Sequence, residues 1–466
     1  MGLDPGGSAV ILILLATLCA ADEPTLAVRL DRPDIQLARL LKLFDGTPVD
    51  GPAAAWAGWK LATGGTLGKP AEAAIAALNP SMVAELKTLD GATLAYRPPA
   101  RWWARVPADD GTFAALATAM ALSGGAAEPA LGDAEIDRVG PPGSPLLARR
   151  GRALVAAAVD RGALAEALGA SRLRLPEAPD GGWSIAARVD PTAAPEPMKD
   201  AVAALSAWGV DAVGGVFGLN SDGMLMSTFQ SRLTEKSPTM RPLDLGLLDR
   251  LPADGAMLAV GLGLDPGPRG VSSLFAAADR VEKTLPGRSA AGPLRARVDL
   301  ALGGLGVRAE AEVWPFVAGV AAALYADESG RVVGARVVLG ATGPAATDRL
   351  ARSVSRVARA LGPGVSVVAI GGRVEADWGE VGRGATIGAS IRSAIGDATP
   401  SRVISVSTGR LPGLAPRLSR ALRTTEPVIG WGVGPSDRLR WGGLRRGVAA
   451  FLDGLPMKLP NADRKS

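Results

Sequence analysis

Apolar residues recur along the chain at two spacings, and each spacing predicts one kind of element. A short apolar run, a turn with Asp or Pro and then a 3.6-residue period predict a strand followed by a helix. This pattern occurs four times, at 25–44, 184–205, 257–283 and 427–452. Strict alternation around the turn residues 221–223 predicts a hairpin over 215–230. The same alternation around Gly303 and Gly304 predicts a second hairpin over 294–313.

The order of these patterns repeats between the two halves of the chain. The segment 79–97 resembles 314–339, and 152–170 resembles 401–422, in the same order. We therefore expect an internal duplication of a unit of roughly 200 residues. Hairpins mixed with strand–helix pairs predict the α+β class, with two related units of antiparallel or mixed sheet and helices packed on one face. The expected segments are a first unit at 22–245, a second unit at 246–460 and a disordered tail at 461–466.

One predicted helix carries an unusual row of basic residues. The stretch Thr347 to Leu361 reads TDRLARSVSRVARAL. At about 100° per residue one side of this helix carries only arginines, namely Arg349, Arg352, Arg356 and Arg359. The opposite side is apolar, with Leu350, Val354, Val357 and Leu361. The row is an anion-binding site, or the solvated face of an amphipathic helix, or a set of arginines that pair with acids from another element.

The composition excludes several chemistries. The chain contains no histidine, which excludes Ser-His-Asp and Cys-His catalysis as well as zinc sites built on His. The 51 basic residues are nine lysines and 42 arginines, and with 46 acidic residues they give a net charge of +5. This surplus is small and spread along the chain, so it does not indicate a nucleic-acid-binding protein. No motif indicates a cofactor or a metal site.

The amino-terminal segment is typical of export. Residues 9–21 are 13 uncharged residues, which is the length of a signal-peptide core and too short for a membrane span. The small residues before Asp22 predict cleavage after Ala21 and a signal peptide at 1–21. Cys19 is the one cysteine of the chain and suggests a lipoprotein as the alternative, but Leu18 before it is large where lipidation favours a small residue. We therefore expect a periplasmic or extracellular protein without cysteine or transmembrane segment.

Two acidic residues form the best candidate for catalysis. In RVEADWGEV, residues 373–381, Glu375 and Asp377 would point to the same face of a strand, about 6.6 Å apart. That separation is at the lower end of the range for an inverting glycosidase. The alternative is an exposed strand face of alternating polar residues. A third segment, RLRWGGLRR at 438–446, interleaves Arg and Trp, but its position in a strand–helix unit favours a structural role.

Two segments resemble a known group of proteins. The stretch LPADGAMLAVGLGLD at 251–265 and the stretch GRALVAAAVDRGALAEAL at 151–168 resemble uncharacterised exported bacterial proteins with repeated α+β units. That family has no assigned activity, so the resemblance implies only the style of the fold and an exported location.

Together these patterns predict an exported, non-catalytic envelope protein with a binding or structural role. The expected partner is an anionic envelope component, a lipid headgroup or an acidic glycan, and no nucleic acid. The alternative is a hydrolase of envelope glycans that acts through Glu375 and Asp377.

Overall fold

The computed structural model describes most of the chain. The described residues are 26–65, 72, 75–76, 78–97, 101–107, 126–138, 145–150, 154–169, 175–178, 180–192, 194, 199–266, 268–284 and 292–453. The predicted signal peptide with Cys19 and the predicted tail at 461–466 lie outside these residues.

The described residues form both strands and helices, with several runs of consecutive strands. The strands are β1 (Leu26–Asp31), β2 (Thr93–Arg97), β3 (Arg101–Pro107), β4 (Ala126–Leu131), β5 (Ala134–Arg138), β6 (Leu146–Arg150), β7 (Leu154–Ala158), β8 (Gly182–Arg188), β9 (Val210–Leu219), β10 (Leu225–Leu233), β11 (Ala256–Gly263), β12 (Val317–Ala326), β13 (Val332–Ala341), β14 (Val365–Ile370), β15 (Arg373–Gly379), β16 (Arg402–Val406), β17 (Val428–Val433) and β18 (Ser436–Trp441). The helices are α1 (Pro33–Lys42), α2 (Pro52–Thr63), α3 (Met82–Leu86), α4 (Arg161–Gly169), α5 (Lys199–Trp208), α6 (Pro268–Glu282), α7 (Leu294–Gly304), α8 (Ala309–Glu312), α9 (Pro344–Leu361), α10 (Ile387–Ile395), α11 (Pro416–Arg423) and α12 (Leu444–Asp453).

The chain divides into two compact units. The first, unit 1, comprises the chain up to Pro197, Ala212–Ser227 and the chain from Val448 onward. The second, unit 2, comprises Met198–Asp211 and Thr228–Gly447. The expected boundary between the two units is at 245/246. In the structure the chain passes from unit 1 to unit 2 after Pro197, returns to unit 1 at Ala212 and enters unit 2 again at Thr228.

The strands within each unit pair in antiparallel fashion, and seven of them follow the same order in both units. Beyond these seven, β5 and β4 continue from β6 in unit 1, and β18 continues from β17 in unit 2. In unit 1 the order is β6-β7-β3-β2-β1-β8-β9. In unit 2 it is β14-β15-β13-β12-β11-β16-β17. Among these seven strands, the first along the chain, β1 or β11, therefore has the next strand on one side and a later strand on the other.

The core of unit 1 forms where helix α4 packs on its sheet. Ala163, Leu164 and Ala167 of α4 are fully buried against strand residues that include Trp103 and Ile136. Many of these strand residues are alanines, so the helix approaches the sheet closely and the core gains its stability from many small contacts.

Unit 2 carries helices on both faces of its sheet, so the expectation of helices on one face is wrong there. On one face, Val338 of β13 and Trp431 of β17 pack against Ile391 of α10. On the other face, Val317 and Val374 pack against Leu350 of α9. Apolar residues on both sides of the strands require both faces to be covered. The coarser prediction of helices with an antiparallel sheet is confirmed.

The predicted elements match the structure unevenly. The strand–helix pairs at 25–44, 184–205 and 257–283 are confirmed, as is the hairpin of β9 and β10. The hairpin predicted over 294–313 is wrong, because Leu294–Gly304 is helix α7. Its Leu, Ala and Arg residues are strong helix formers, and this propensity outweighs the apparent alternation. At 427–452, strand β18 lies between the predicted strand and helix.

A search of the described residues finds no helix with the length and apolar character that crossing a membrane requires.

Candidate functional site

Helix α9 forms as its sequence pattern predicts. Pro344 starts it at a position where the missing backbone N–H is not needed, and Gly362 ends it with a positive φ of 108°. Leu350 is fully buried in the core, and the helix packs on β13, β14 and β15. The apolar side thus fixes the orientation of the helix and turns the opposite side outward. Leu361 is an exception, since 65% of it is exposed.

The outward side presents the four predicted arginines, Arg349, Arg352, Arg356 and Arg359, which we call the arginine surface. Arg356 donates hydrogen bonds to the Glu312 carboxylate and, at 2.6 Å, to the carbonyl of Gly306. The Arg349 guanidinium lies 5.1 Å from the ring centre of Phe316, a cation–π contact. Within the described ranges, Arg359 donates to the carbonyl of Ser355 in its own helix, at 3.3 Å, and to no other group.

Among the described residues, Arg356 alone of these four has an acidic partner. No ion pair involves Arg349, Arg352 or Arg359 within that part of the chain. Arg352 is exposed and has no polar contact there. Within the described part of the chain, three of the four arginines are thus exposed without an acid, an arrangement that both a solvated helix face and an anion site would show.

Glu312 is a member of the site that the sequence analysis missed. It lies at the end of α8 and accepts hydrogen bonds from Arg356, from the Ser353 hydroxyl at 3.3 Å and from the Arg308 backbone at 3.4 Å. Desolvation acts to raise the pKa of Glu312, but these hydrogen bonds and the charge of Arg356 outweigh it and lower the pKa below its usual value. No local sequence signal links Glu312 to an arginine 44 positions later, because the contact depends on how α8 packs beside α9.

The arginine surface borders a cleft of about 550 Å³. Its lining consists of the four arginines with Ala311, Glu312, Ala351, Ser353 and Ser355. Guanidinium groups present several N–H donors in a plane and bind carboxylate or phosphate oxygens in pairs. The cleft thus combines positive charge, hydrogen-bond donors and space for an anionic group.

The two predicted catalytic carboxylates have a different environment. Glu375 and Asp377 lie on the same face of β15, as predicted, and Glu375 is buried. Glu375 pairs with Arg250 at 2.5 Å, and both oxygens of Asp377 bind Arg336, at 2.6 and 2.7 Å. We call these four residues the inner arginine network. It is built into the packed face of the sheet, and its polar contacts do not favour a hydrolytic pair.

The third candidate segment also has structural contacts. Arg440 and Arg446 both lie near Glu426, at 3.5 and 3.9 Å, and the Trp441 ring nitrogen donates to Thr425. Trp431 is buried in the core of unit 2. These contacts account for the segment 438–446 without a ligand.

A second cleft of about 570 Å³ lies elsewhere in unit 2, between α5 and the ends of β17 and β18. It contains Trp208 and the pair Arg402–Asp437, whose atoms approach to 2.7 Å. Burial raises the pKa of Asp437 despite the nearby Arg402. Arg402 nevertheless has an acidic partner in Asp437, in contrast to three of the four arginines of the arginine surface among the described residues.

No group of three or more His, Cys, Asp or Glu side chains suited to a metal ion occurs in the part of the chain that the structure describes. Comparison with known proteins gives no relative, since no family model, no curated protein and no solved structure matches the chain.

Proposed function

We propose that the protein is an exported, non-catalytic binding protein of the cell envelope, and that its arginine surface holds anionic groups of an envelope component. The observation that carries this proposal is the shortage of acidic partners at that surface. Four arginines at spacings of three and four residues repel each other along one helix face. Bound phosphate or carboxylate groups would relieve this repulsion and engage the free guanidinium groups.

Other arginines of unit 2 differ from those of the arginine surface. Elsewhere in unit 2, arginines commonly bind carboxylates, as in Arg250–Glu375, Arg336–Asp377, Arg373–Asp244, Arg392–Asp249 and Arg402–Asp437. The chain thus pairs many of its arginines but leaves Arg349, Arg352 and Arg359 without an acid among the described residues. Arg417 and Arg420 of α11 lack an acid there as well. The arginine surface combines this lack with four arginines on one helix face and with a cleft that they line. The cleft beside them gives a ligand room to approach.

Export rests on the amino-terminal segment at 1–21, and the envelope location follows from it. We also propose that the two units arose by duplication, because the strand order of one repeats in the other. The resemblance to exported proteins with repeated α+β units fits both proposals. The contacts of Glu375 and Asp377 give no support to the alternative of a glycan hydrolase.

Binding of inorganic polyphosphate tests the proposal. The chain from Asp22 onward would be titrated at about 50 mM and about 200 mM salt, since screening weakens contacts between exposed charges. We expect the variant Arg349→Gln/Arg352→Gln to bind about tenfold or more weakly at low salt, equivalent to about 1.4 kcal/mol.

The matched control is Arg417→Gln/Arg420→Gln on α11, which removes the same charge from exposed positions of another helix in unit 2. It should bind within about twofold of the wild type, because the change in net charge alone has little effect on a local contact. Absence of binding by the wild type, or equal losses in both variants, would refute the arginine surface as the binding site.

A further inference from the structure

The arginine surface continues into an apolar cleft. This apolar cleft, of about 390 Å³, shares Ser355 and Arg359 with the cleft that the arginine surface borders. The rest of its lining is Ala358, Gly362, Pro363, Val365 and Val367. A ligand that contacts Arg359 with an anionic group can therefore place an apolar part directly beside it.

Two large apolar side chains lie exposed at the same end of α9. Leu361 is the last residue of the helix and is 65% exposed. Trp378 is 50% exposed and lies directly opposite Val365 in the pairing of β14 with β15. Exposed Trp and Leu beside arginines are characteristic of proteins that bind at the surface of a bilayer.

Trp378 belongs to the face of the sheet that α9 covers. Side chains alternate along a strand, so Trp378 is on the same face of β15 as Val374. Val374 packs against Leu350 of α9 in the core of unit 2. The exposed Trp378, the end of α9 and the two clefts thus occupy one side of unit 2.

We infer that this side of unit 2 docks on an anionic lipid bilayer, with the arginines on the headgroups and with Leu361 and Trp378 in the interfacial region. The inference rests on the proposed function and names its ligand. Charge complementarity identifies the anionic headgroups, and the adjoining apolar cleft and side chains favour a lipid over an acidic glycan. A charged glycan would use the arginines but offers nothing to Leu361, Val365 or Val367.

Sedimentation with vesicles tests the inference. The chain from Asp22 onward would be mixed with vesicles of phosphatidylglycerol and phosphatidylcholine in equal amounts, and with phosphatidylcholine alone. We expect binding to the anionic vesicles only. The variant Leu361→Ser/Trp378→Ser should lose about tenfold in vesicle binding, because two apolar side chains leave the interface. It should keep its affinity for polyphosphate, whereas Arg349→Gln/Arg352→Gln should lose both.

The matched control is Val368→Ser/Ile370→Ser. These side chains are 54% and 50% exposed on β14, the strand that pairs with the strand of Trp378, but Val368 pairs with Glu375 and so lies on the opposite face of the sheet from Trp378. This control should bind anionic vesicles like the wild type. Quenching of tryptophan fluorescence by brominated phosphatidylglycerol should also decrease in Trp378→Phe, a variant that keeps an aromatic side chain and should still bind.

The two proposals fail in different ways. If the wild type binds polyphosphate through its arginines but does not bind anionic vesicles, the lipid inference is overturned and the proposed function stands. The same conclusion follows if both serine variants bind vesicles equally, or if Leu361→Ser/Trp378→Ser weakens binding of an acidic glycan as much as binding of vesicles. Absence of binding to polyphosphate and to vesicles alike would overturn both.

Discussion

The inner arginine network and the arginine surface are two arginine-rich regions of unit 2 with opposite environments. In the network, Arg336 lies opposite Asp377 in neighbouring strands and binds both of its carboxylate oxygens. On the surface, Arg352 projects from α9 without a polar contact among the described residues. The same side chain thus contributes to the stability of the fold in one place and remains available to a ligand in the other.

Arg336 and Arg352 differ because a strand carries the first and the outward side of a surface helix carries the second. Neighbouring antiparallel strands bring residues that are far apart in the chain directly opposite each other, so a carboxylate across from an arginine becomes its partner. The outward side of a surface helix faces solvent, and its own neighbours at three and four positions are further arginines. Of the four arginines, Arg356 alone reaches an acid among the residues that the structure describes, because α8 brings Glu312 to it.

The largest expected effect is a loss of stability on disruption of the inner arginine network. Arg336→Ala leaves the half-buried Asp377 carboxylate without its bidentate partner, and we expect a loss of about 3 kcal/mol in the free energy of unfolding. Urea denaturation measures this loss. Replacement of both residues by Leu should recover part of it, since no charge is then left unpaired. A loss below about 1 kcal/mol in the single variant would show that the network is not structural.

The next effect concerns Tyr325, which adjoins the network. Burial raises the pKa of Tyr325 to about 12 from its ordinary value of 10.0, and its hydroxyl has no hydrogen-bond partner in the described part of the chain. Because the pKa of Tyr325 is higher in the folded state than in the unfolded state, its titration does not change the stability below pH 10. As the pH rises above 10, the unfolded state loses the proton first and the folded state loses stability. By pH 12 the loss should be about 2 kcal/mol.

Comparison of the wild type with Tyr325→Phe at alkaline pH measures this effect. The phenylalanine variant should lack this part of the alkaline loss, while lysine titration affects both proteins equally. Parallel pH profiles of the two proteins would contradict the assignment to Tyr325.

A smaller effect, on the affinity for polyphosphate, is expected at the ion pair between Arg356 of the arginine surface and Glu312. Glu312→Gln removes the carboxylate that occupies Arg356, and polyphosphate binding should strengthen about threefold, as expected for loss of an exposed ion pair. Titration of both proteins with polyphosphate near pH 7 measures the change. Weaker binding by the variant would mean that Glu312 orients Arg356 for the ligand instead of competing with it.

The lowered pKa of Glu312 gives this contact a pH dependence. Its stabilising contribution is complete above pH 4.5 and is lost as the pH falls through the lower folded pKa. Acid titration of stability should therefore show a component in the wild type that Glu312→Gln lacks.

The smallest expected effect is on the stability of an arginine-surface variant. Arg352→Ala removes an exposed side chain that has no polar contact among the described residues, and it introduces a strong helix former. The free energy of unfolding should therefore change by no more than about 0.5 kcal/mol. Urea denaturation beside Arg336→Ala gives the direct comparison. A loss comparable to that of Arg336→Ala would remove the distinction between the two regions.

The sequence predicts local elements better than it predicts their partners. The periodicity at 347–361 correctly predicts helix α9 and its arginine side, because both depend on positions within one turn of each other. The segment 294–313 is misread because short apolar alternation also occurs in helices. The helices on both faces of unit 2, and the pairing of Glu375 with Arg250, depend on contacts between distant segments. No periodicity within a single segment contains that information.

The repeated strand order has a consequence for the stoichiometry of binding. In unit 2, α9 connects β13 to β14. At the equivalent point of unit 1, between β3 and β6, the described residues contain the hairpin of β4 and β5, and the segment 108–125 before it contains no Arg or Lys. The repeated strand order is therefore not accompanied by a second row of arginines at this point of the sequence. A titration of the arginine surface should saturate at one binding site per chain, although the sheet is present twice.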